Sequence, residues 1–265
     1  MSNLKRYKMF IDGDWVESKG KKTFKTLNPE NNEPWAEVPE ANKNDVDIAV
    51  KAAQKAFVGS WSKLFPRDRA KYLKEIANQL RENSEHLGRI ETIDTGKLFK
   101  ETKTQANYIA EYYDYYAGLA DKVEGTVLPI DKPNMQVITT RVPIGVVAAI
   151  IPWNSQMLLT AVKLAPALAM GNTVVIKSSE LAPATLFEFA RLIEKTGIPK
   201  GVVNVISGFG EPCGKELTSH NLVERVAFTG GPETAKHIIR NSADNLSQVS
   251  LELGGKSPVA VFEDA

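Results

Sequence analysis

Hydrophobic positions along the chain change their period twice. Near the N-terminus they come in short β-prone runs. Met9-Phe10-Ile11 and Trp15-Val16 flank Asp12-Gly13-Asp14, a pattern that predicts a hairpin closed by an Asp-Gly turn. Asn28-Pro29 marks a further turn. The period then lengthens to that of amphipathic helices. One carries Val46, Ala49, Val50, Ala53 and Phe57 on a stripe, with Asn44 as its predicted N-cap. A second carries Leu73, Ile76, Ala77 and Leu80. A third places Tyr108, Ile109, Tyr112, Tyr116 and Leu119 at helical spacing and ends near Leu119. Its tyrosines read as a packing face, in the core or at a subunit contact, rather than as a stacking platform.

Between residues 123 and 141 the pattern breaks. Gly125, Pro129, Pro133 and Asn134 punctuate two short pieces, Thr126-Val127-Leu128 and Val137-Ile138-Thr139-Thr140. They predict a hairpin arm, a candidate for subunit contact. From residue 144 strands alternate with helices. The strand runs are Val146–Ile151, Thr173–Ile176, Val202–Ile206, Val226–Phe228 and Val249–Leu251. The helical stretches are Gln156–Met170, Pro183–Thr196, a short one after Glu211, and Pro232–Ser242. This alternation predicts an α/β fold with a parallel sheet and right-handed crossovers. Ligands of such sheets bind at the carboxyl ends of the strands.

Composition narrows the function. Lysine plus arginine total 33 and aspartate plus glutamate 32, a formal net charge of +1, which argues against nucleic acid as a partner. The 43% hydrophobic and 25% charged fractions describe a globular chain, and 265 residues suffice for one large or two medium domains. A single cysteine, Cys213, excludes an intrachain disulfide. The longest nearly apolar run, Val142 to Trp153, contains Pro143 and Gly145 and is too short to span a bilayer. The first residues show no leader pattern, so a cytoplasmic protein with no membrane contact is expected. His86, His220 and His237 are scattered, so no metal is expected.

The residues just after each strand carry the candidate chemistry. Pro152-Trp153-Asn154 follows the first. An asparagine amide can donate to an oxyanion, or Asn154 can simply cap the next helix. Lys177-Ser178-Ser179-Glu180 follows the second. Lys177 and Glu180 can share a ribose, and the charge of Glu180 favours NAD over NADP; a helix-start carboxylate is the alternative. Gly208, Gly210 and Gly214 follow the third strand, and Thr229-Gly230-Gly231 the fourth. Neither set forms a G-x-G-x-x-G or Walker A pattern. Glu252 ends the fifth strand before Leu253-Gly254-Gly255-Lys256. Partly desolvated there, it reads as a general base, or as a structural carboxylate paired with Lys256. Lys163 interrupts the apolar helix 156–170 and reads as a snorkelling lysine or a site residue.

Together these residues resemble the NAD(P)-dependent aldehyde dehydrogenase family. The motifs are Ile150-Ile151-Pro152-Trp153-Asn154, Lys163 to Ala169, Gly171 to Val175, Lys177 to Glu180, Ser207-Gly208-Phe209-Gly210, Phe228-Thr229-Gly230-Gly231 and Leu251-Glu252-Leu253-Gly254-Gly255-Lys256. Phe10-Ile11-Asp12-Gly13 and Asp94-Thr95-Gly96-Lys97 also match. The resemblance implies a Rossmann-like parallel sheet with flanking helices, an N-terminal strand and helix region, and a protruding hairpin arm. It implies a coenzyme domain whose N-terminal part is 1–122, an oligomerisation arm at 123–141, an NAD-binding core at 142–252, and the start of a catalytic domain at 253–265. It assigns Asn154 to the thiohemiacetal oxyanion, Glu252 to activating the water that hydrolyses the thioester, and Lys163 to the neighbourhood of that base. Ile150, Ile151, Pro152, Trp153, Lys177, Glu180, Gly210, Gly214, Phe228, Thr229, Gly230, Gly231, Leu253 and Gly254 would line the coenzyme. The implied cofactor is NAD, the partner an aldehyde, and the assembly a homo-oligomer.

Two departures stand out. Gly231 occupies a position that is serine in many members. The family's nucleophilic cysteine lies downstream of the Glu252 segment, so the chain is expected to stop before it and to be inactive alone. Cys213, between Gly210 and Gly214, reads as a small buried residue. A stand-alone dinucleotide-binding module and an acylating semialdehyde dehydrogenase are the alternatives, and Glu252 speaks against the latter.

Overall fold

A computed structural model describes residues 4–265. After β1 (Lys5–Arg6), the strands β2 (Met9–Ile11) and β3 (Asp14–Val16) form the Asp-Gly hairpin, with Ile11 opposite Asp14. Asp12 and Gly13 are both left-handed (φ 51° and 75°), as a two-residue turn matched to strand twist requires. β4 (Thr23–Asn28) and β5 (Glu33–Pro39) pair antiparallel, and β1 joins β5 in parallel.

Helix α1 (Lys43–Val58) buries Val46, Ala49, Val50 and Ala53. Its cap is Asn42, not Asn44. Asn42 Oδ1 accepts from the Asn44 and Asp45 amides, while Asp45 Oδ2 accepts from the Asn42 amide at 2.9 Å. This reciprocal box satisfies more helix-start groups than a lone asparagine can. α2 (Pro66–Glu82) buries Leu73, Ile76, Ala77 and Leu80, as its period predicts. α3 (Ser84–Thr95) is an additional helix. Its inner face includes Gly88, Glu91 and Asp94, so a search for apolar periodicity passes over it. α4 (Phe99–Leu119) ends where expected, but its buried face is turned by one position. Tyr113 is fully buried, whereas Tyr108 is exposed and Tyr112 and Tyr116 are half-buried.

The arm is a two-stranded sheet of its own, β6 (Val127–Leu128) with β7 (Val137–Ile138). The alternating half then follows: β8 (Val146–Ile150), α5 (Gln156–Ala169), β9 (Thr173–Lys177), α6 (Ala184–Lys195), β10 (Val203–Ile206), a kinked turn over Gly210–Gly214, α7 (Lys215–Thr218), β11 (Val223–Gly230), α8 (Pro232–Asn241) and β12 (Gln248–Leu253). The seven-stranded sheet has the order β12-β11-β8-β9-β10-β2-β3. Its strands from β12 to β10 are mutually parallel, so their carboxyl ends share one edge.

Strand alternation divides the core between two faces. Val147, Ala149 and Ile151 pack with residues of α2, α4, α5 and α6. Val146, Ala148 and Ile150 pack with residues of α1, α7 and α8. The sheet is therefore clothed on both sides, as a parallel sheet of near-continuous apolar strands must be. No helix among the described residues is long and apolar enough to cross a membrane.

Candidate active site and coenzyme crevice

Register brings the fourth and fifth strand exits together. Thr229 lies opposite Glu252, and Phe228 bridges Ile150 on one side and Leu251 on the other. Phe228 and Leu251 point into the α1–α8 face. Thr229 and Glu252, one residue further, therefore point to the opposite face. There they meet α5. Lys163 is only 9% exposed, and its Nζ donates to Thr229 Oγ1 at 2.6 Å. It is neither a snorkelling lysine nor a core residue. Burial pulls its ammonium down to about 8, and the Glu252 carboxylate works against that shift. Lys163, Thr229 and Glu252 line one cavity of about 700 Å³, whose remaining wall is largely apolar: Val147, Leu159, Val162 and Pro166 among others.

Glu252 itself is exposed rather than partly desolvated. The reason is topological: β12 is the outermost strand of the sheet, so no further strand covers its flank. Asn154 is also exposed, on the loop between β8 and α5. The helix-cap alternative fails for it. The N-cap position of α5 is Ser155, and no side chain caps the helix from there.

The coenzyme candidates divide by face and by burial. Lys177 ends β9 almost fully buried, and its Nζ lies 3.4 Å from Glu180 Oε2 and donates to Ser178 O at 3.0 Å. The pair thus stands at the carboxyl edge with the Glu180 carboxylate on the outer side. Gly210 and Gly214 bound the kinked turn at the head of α7, in which Glu211 is extended, and Gly231 precedes Pro232 at the head of α8. A Cβ built on Gly210, Gly231 or Gly254 would meet no protein atom within 4 Å, so these backbones border open space. Gly230 differs: a Cβ there would stand 2.4 Å from Phe228 Cζ. Its lack of a side chain serves packing. Ile150, Ile151 and Phe228 have buried side chains committed to the core, so only their backbones remain for a ligand. Pro152 is half-buried, and Trp153 and Leu253 are exposed.

Cys213 is fully buried, and burial pushes its thiol up to about 12. No thiolate forms there at neutral pH. Sequence reasoning missed Glu91, Lys97 and Ser155, which meet beside Asn154. Lys97 Nζ donates to Ser155 Oγ at 2.6 Å and lies 3.8 Å from Glu91 Oε1. The Asp94-Thr95-Gly96-Lys97 motif was the available signal.

Comparison with known proteins bears on this geometry. Residues 15–265 match the model of the aldehyde dehydrogenase family. A relative from Acinetobacter baylyi, (Z)-2-((N-methylformamido)methylene)-5-hydroxybutyrolactone dehydrogenase, is 54% identical over 98% of this chain and 53% of its own. Betaine aldehyde dehydrogenase from Bacillus subtilis is 42% identical over 97% of this chain and 53% of its own. Among solved structures, the NAD+ complex of an aldehyde dehydrogenase from Bacillus cereus superposes with a TM-score of 0.93 at 39% identity, over 98% of this chain and 53% of that one. The chain therefore spans about half the length of the relatives it matches. With the family model covering almost every residue, the chain belongs to the aldehyde dehydrogenase family.

Proposed function

We propose that this chain is the coenzyme-binding part of an enzyme that oxidises an aldehyde to a carboxylic acid with NAD. The observation that carries the reading is the convergence of Lys163, Thr229 and Glu252, from three separate elements, on one cavity that runs along the sheet face, with Thr229 and Glu252 at its carboxyl-edge end. A structural role alone gives no reason to bury an ammonium against a hydroxyl and beside a carboxylate.

The residues at the edge fit a dinucleotide. Lys177 and Glu180 present a donor and an acceptor for vicinal hydroxyls, and the open glycines at 210 and 231 let a phosphate or ring approach the backbone. Bound NAD supplies a hydride acceptor. The chain's own residues do the rest. The Asn154 amide, with no internal partner among the described residues, donates to the oxyanion that forms when a nucleophile adds to the aldehyde carbonyl. Glu252, open to solvent, takes a proton from the water that releases the acid. Lys163 holds charge beside that carboxylate. The nucleophile is a thiolate from outside these residues, because Cys213 is sealed in the core. Residues 1–122 and 142–252 form the coenzyme unit, 253–265 lead into the catalytic one, and the apolar, exposed arm at 123–141 joins subunits. The site works in the cytoplasm on a small aldehyde. The 54% relative is named for a 5-hydroxybutyrolactone, the ring-closed form of an aldehyde acid, so aldehyde acids head the panel to be tried.

The test is calorimetric titration with NAD, followed by NADH formation across that panel in the full-length enzyme. Removing one oxyanion donor by Asn154→Ala is expected to cost about 3 kcal/mol of barrier, on the order of a hundredfold in kcat. Near wild-type turnover in that variant overturns the reading.

A further inference from the structure

We propose that Lys97, braced by Glu91, is a positioning residue that fixes the backbone presenting Asn154 by holding Ser155. The proposal rests on the reading of Asn154 given above and adds to it the group that orients the loop.

The construction begins at the end of α3. Gly96 is left-handed (φ 75°), and its amide donates to Thr92 O at 2.9 Å. This closes the helix and turns the chain back on itself. Gly96 also lies against Pro29, whose Cγ a Cβ there would meet at 3.0 Å, so the turn is held from outside. The next residue is Lys97. Its side chain runs back along the helix it has just left, to within 3.8 Å of Glu91 Oε1.

Glu91 is fully buried, and neither of its carboxylate oxygens has a hydrogen-bond partner. A buried carboxylate in that state is expensive for a fold to keep. Lys97 is the cation that faces it. The ammonium is thereby held at the inner end of its reach instead of sampling solvent, and it donates to Ser155 Oγ at 2.6 Å.

Ser155 occupies the N-cap position of α5, where a serine hydroxyl ordinarily accepts from the first helical amides. It does not do so. Its hydroxyl is given to Lys97 instead. The loop around Asn154 has few other ties. Ile151 N–H donates to Lys177 O at 3.1 Å before it, and Leu159 N–H donates to Ser155 O at 2.9 Å after it. Gln156, the next residue, is anchored separately, its Nε2 donating to Ala182 O; from Ile151 to Ser155, among the described residues, the Lys97 contact is the one side-chain hydrogen bond. A displacement of Ser155 is carried directly to the Cα of Asn154 through one peptide bond. A misplacement of about 1 Å in a catalytic donor costs up to roughly a hundredfold in rate, so a tether at this position sets turnover without touching substrate.

The experiment is a double-mutant cycle in the full-length enzyme, with hydrogen exchange beside it. Lys97→Met and Ser155→Ala are each expected to lower kcat by about tenfold and to leave KM for NAD within about twofold. In an Asn154→Ala background neither should lower kcat by more than about twofold further, because the group they position is gone. Exchange of the Leu159 amide, which donates to Ser155 O, should quicken by about tenfold in Lys97→Met, while β9 is unchanged. Equal losses in both backgrounds, or an unaltered kcat in both variants, overturn the proposal. So does unchanged exchange of the Leu159 amide. Should Lys97→Met fail to fold, Ser155→Ala deletes only a half-buried oxygen and keeps the cycle decisive. Full turnover in Asn154→Ala identifies failure of the site assignment itself; the exchange data then report separately on the tether.

Discussion

Lys163 Nζ donates to Thr229 Oγ1 across the gap between α5 and β11, at 2.6 Å. The contact joins a helix on one face of the sheet to the carboxyl end of a strand, and it aims an ammonium at the side of the cavity that Glu252 lines.

Replacing Lys163 by Met separates stability from activity. The amine's proton affinity falls from 10.5 to about 8 on folding because burial favours the neutral form. The native state therefore gains stability as pH rises from about 8 to 10.5, and loses that gain as pH falls through the same window. Lys163→Met removes the dependence. Below pH 8 the variant should be more stable by roughly 2 kcal/mol, after allowing for the lost hydroxyl contact. At pH 10.5 the advantage should vanish, and at every pH kcat should fall. Thermal melts from pH 7 to 10.5 check the first point; a variant that is less stable at pH 7 contradicts it.

Why the sequence revealed so much of this site, and not all of it, follows from the physics of each part. Parallel strands buried on both faces read as apolar runs, and their exits are punctuated by Pro152, Glu180, Gly210 and Gly231. The positions of the exits along the chain were legible for that reason. Burial depth was not. Lys163 and Glu252 exchange their expected environments: the lysine is enclosed and the carboxylate is open. That depends on which strand ends the sheet, and strand order is a tertiary property. α3 hid because Glu91 and Asp94 replace apolar residues on its inner face. Of these, Glu91 braces the tether, while Asp94 accepts from the Ala184 and Thr185 amides at the head of α6.

Those two carboxylates give the protein a second pH signature. Burial raises Glu91 from 4.5 to about 7, with Asp94 adding to the shift and Lys97 opposing it. A carboxyl whose native value is raised contributes stability below its unfolded value and loses it as pH climbs through the native one. Glu91→Gln should therefore gain on the wild type between about pH 4.5 and 7, by up to roughly 3 kcal/mol above pH 7. It should also slow turnover, since the brace on Lys97 is gone. Melting temperatures at pH 5 and pH 8 give the sign directly.

Cys213 is expected to be inert. It is packed so closely that its Cβ lies 2.8 Å from where a Cβ on Gly208 would stand. With its thiol pushed up to about 12 by burial, it should react with a disulfide reagent only after unfolding. Cys213→Ala should bind NAD as the wild type does, at a stability cost of about 1–2 kcal/mol. Rapid labelling of the native protein at neutral pH contradicts this account.

Glu180 is expected to decide between the two nicotinamide coenzymes. The Lys177 ammonium lies 3.4 Å from its carboxylate and is itself nearly buried, whereas Glu180 is half-exposed at the crevice. A ligand arriving there meets the acidic partner first. Ribose hydroxyls can donate to it; a 2′-phosphate meets like charge, with Lys177 already engaged. Glu180→Gln keeps the shape and removes the repulsion. NADP affinity should then rise by about tenfold, while NAD affinity falls by a smaller factor, about threefold, as a charged acceptor becomes a neutral one. The matching substitution on the other side, Lys177→Met, should weaken both coenzymes. Titration of each variant with NAD and NADP resolves the two effects; an unchanged NADP affinity in Glu180→Gln moves discrimination elsewhere in the crevice.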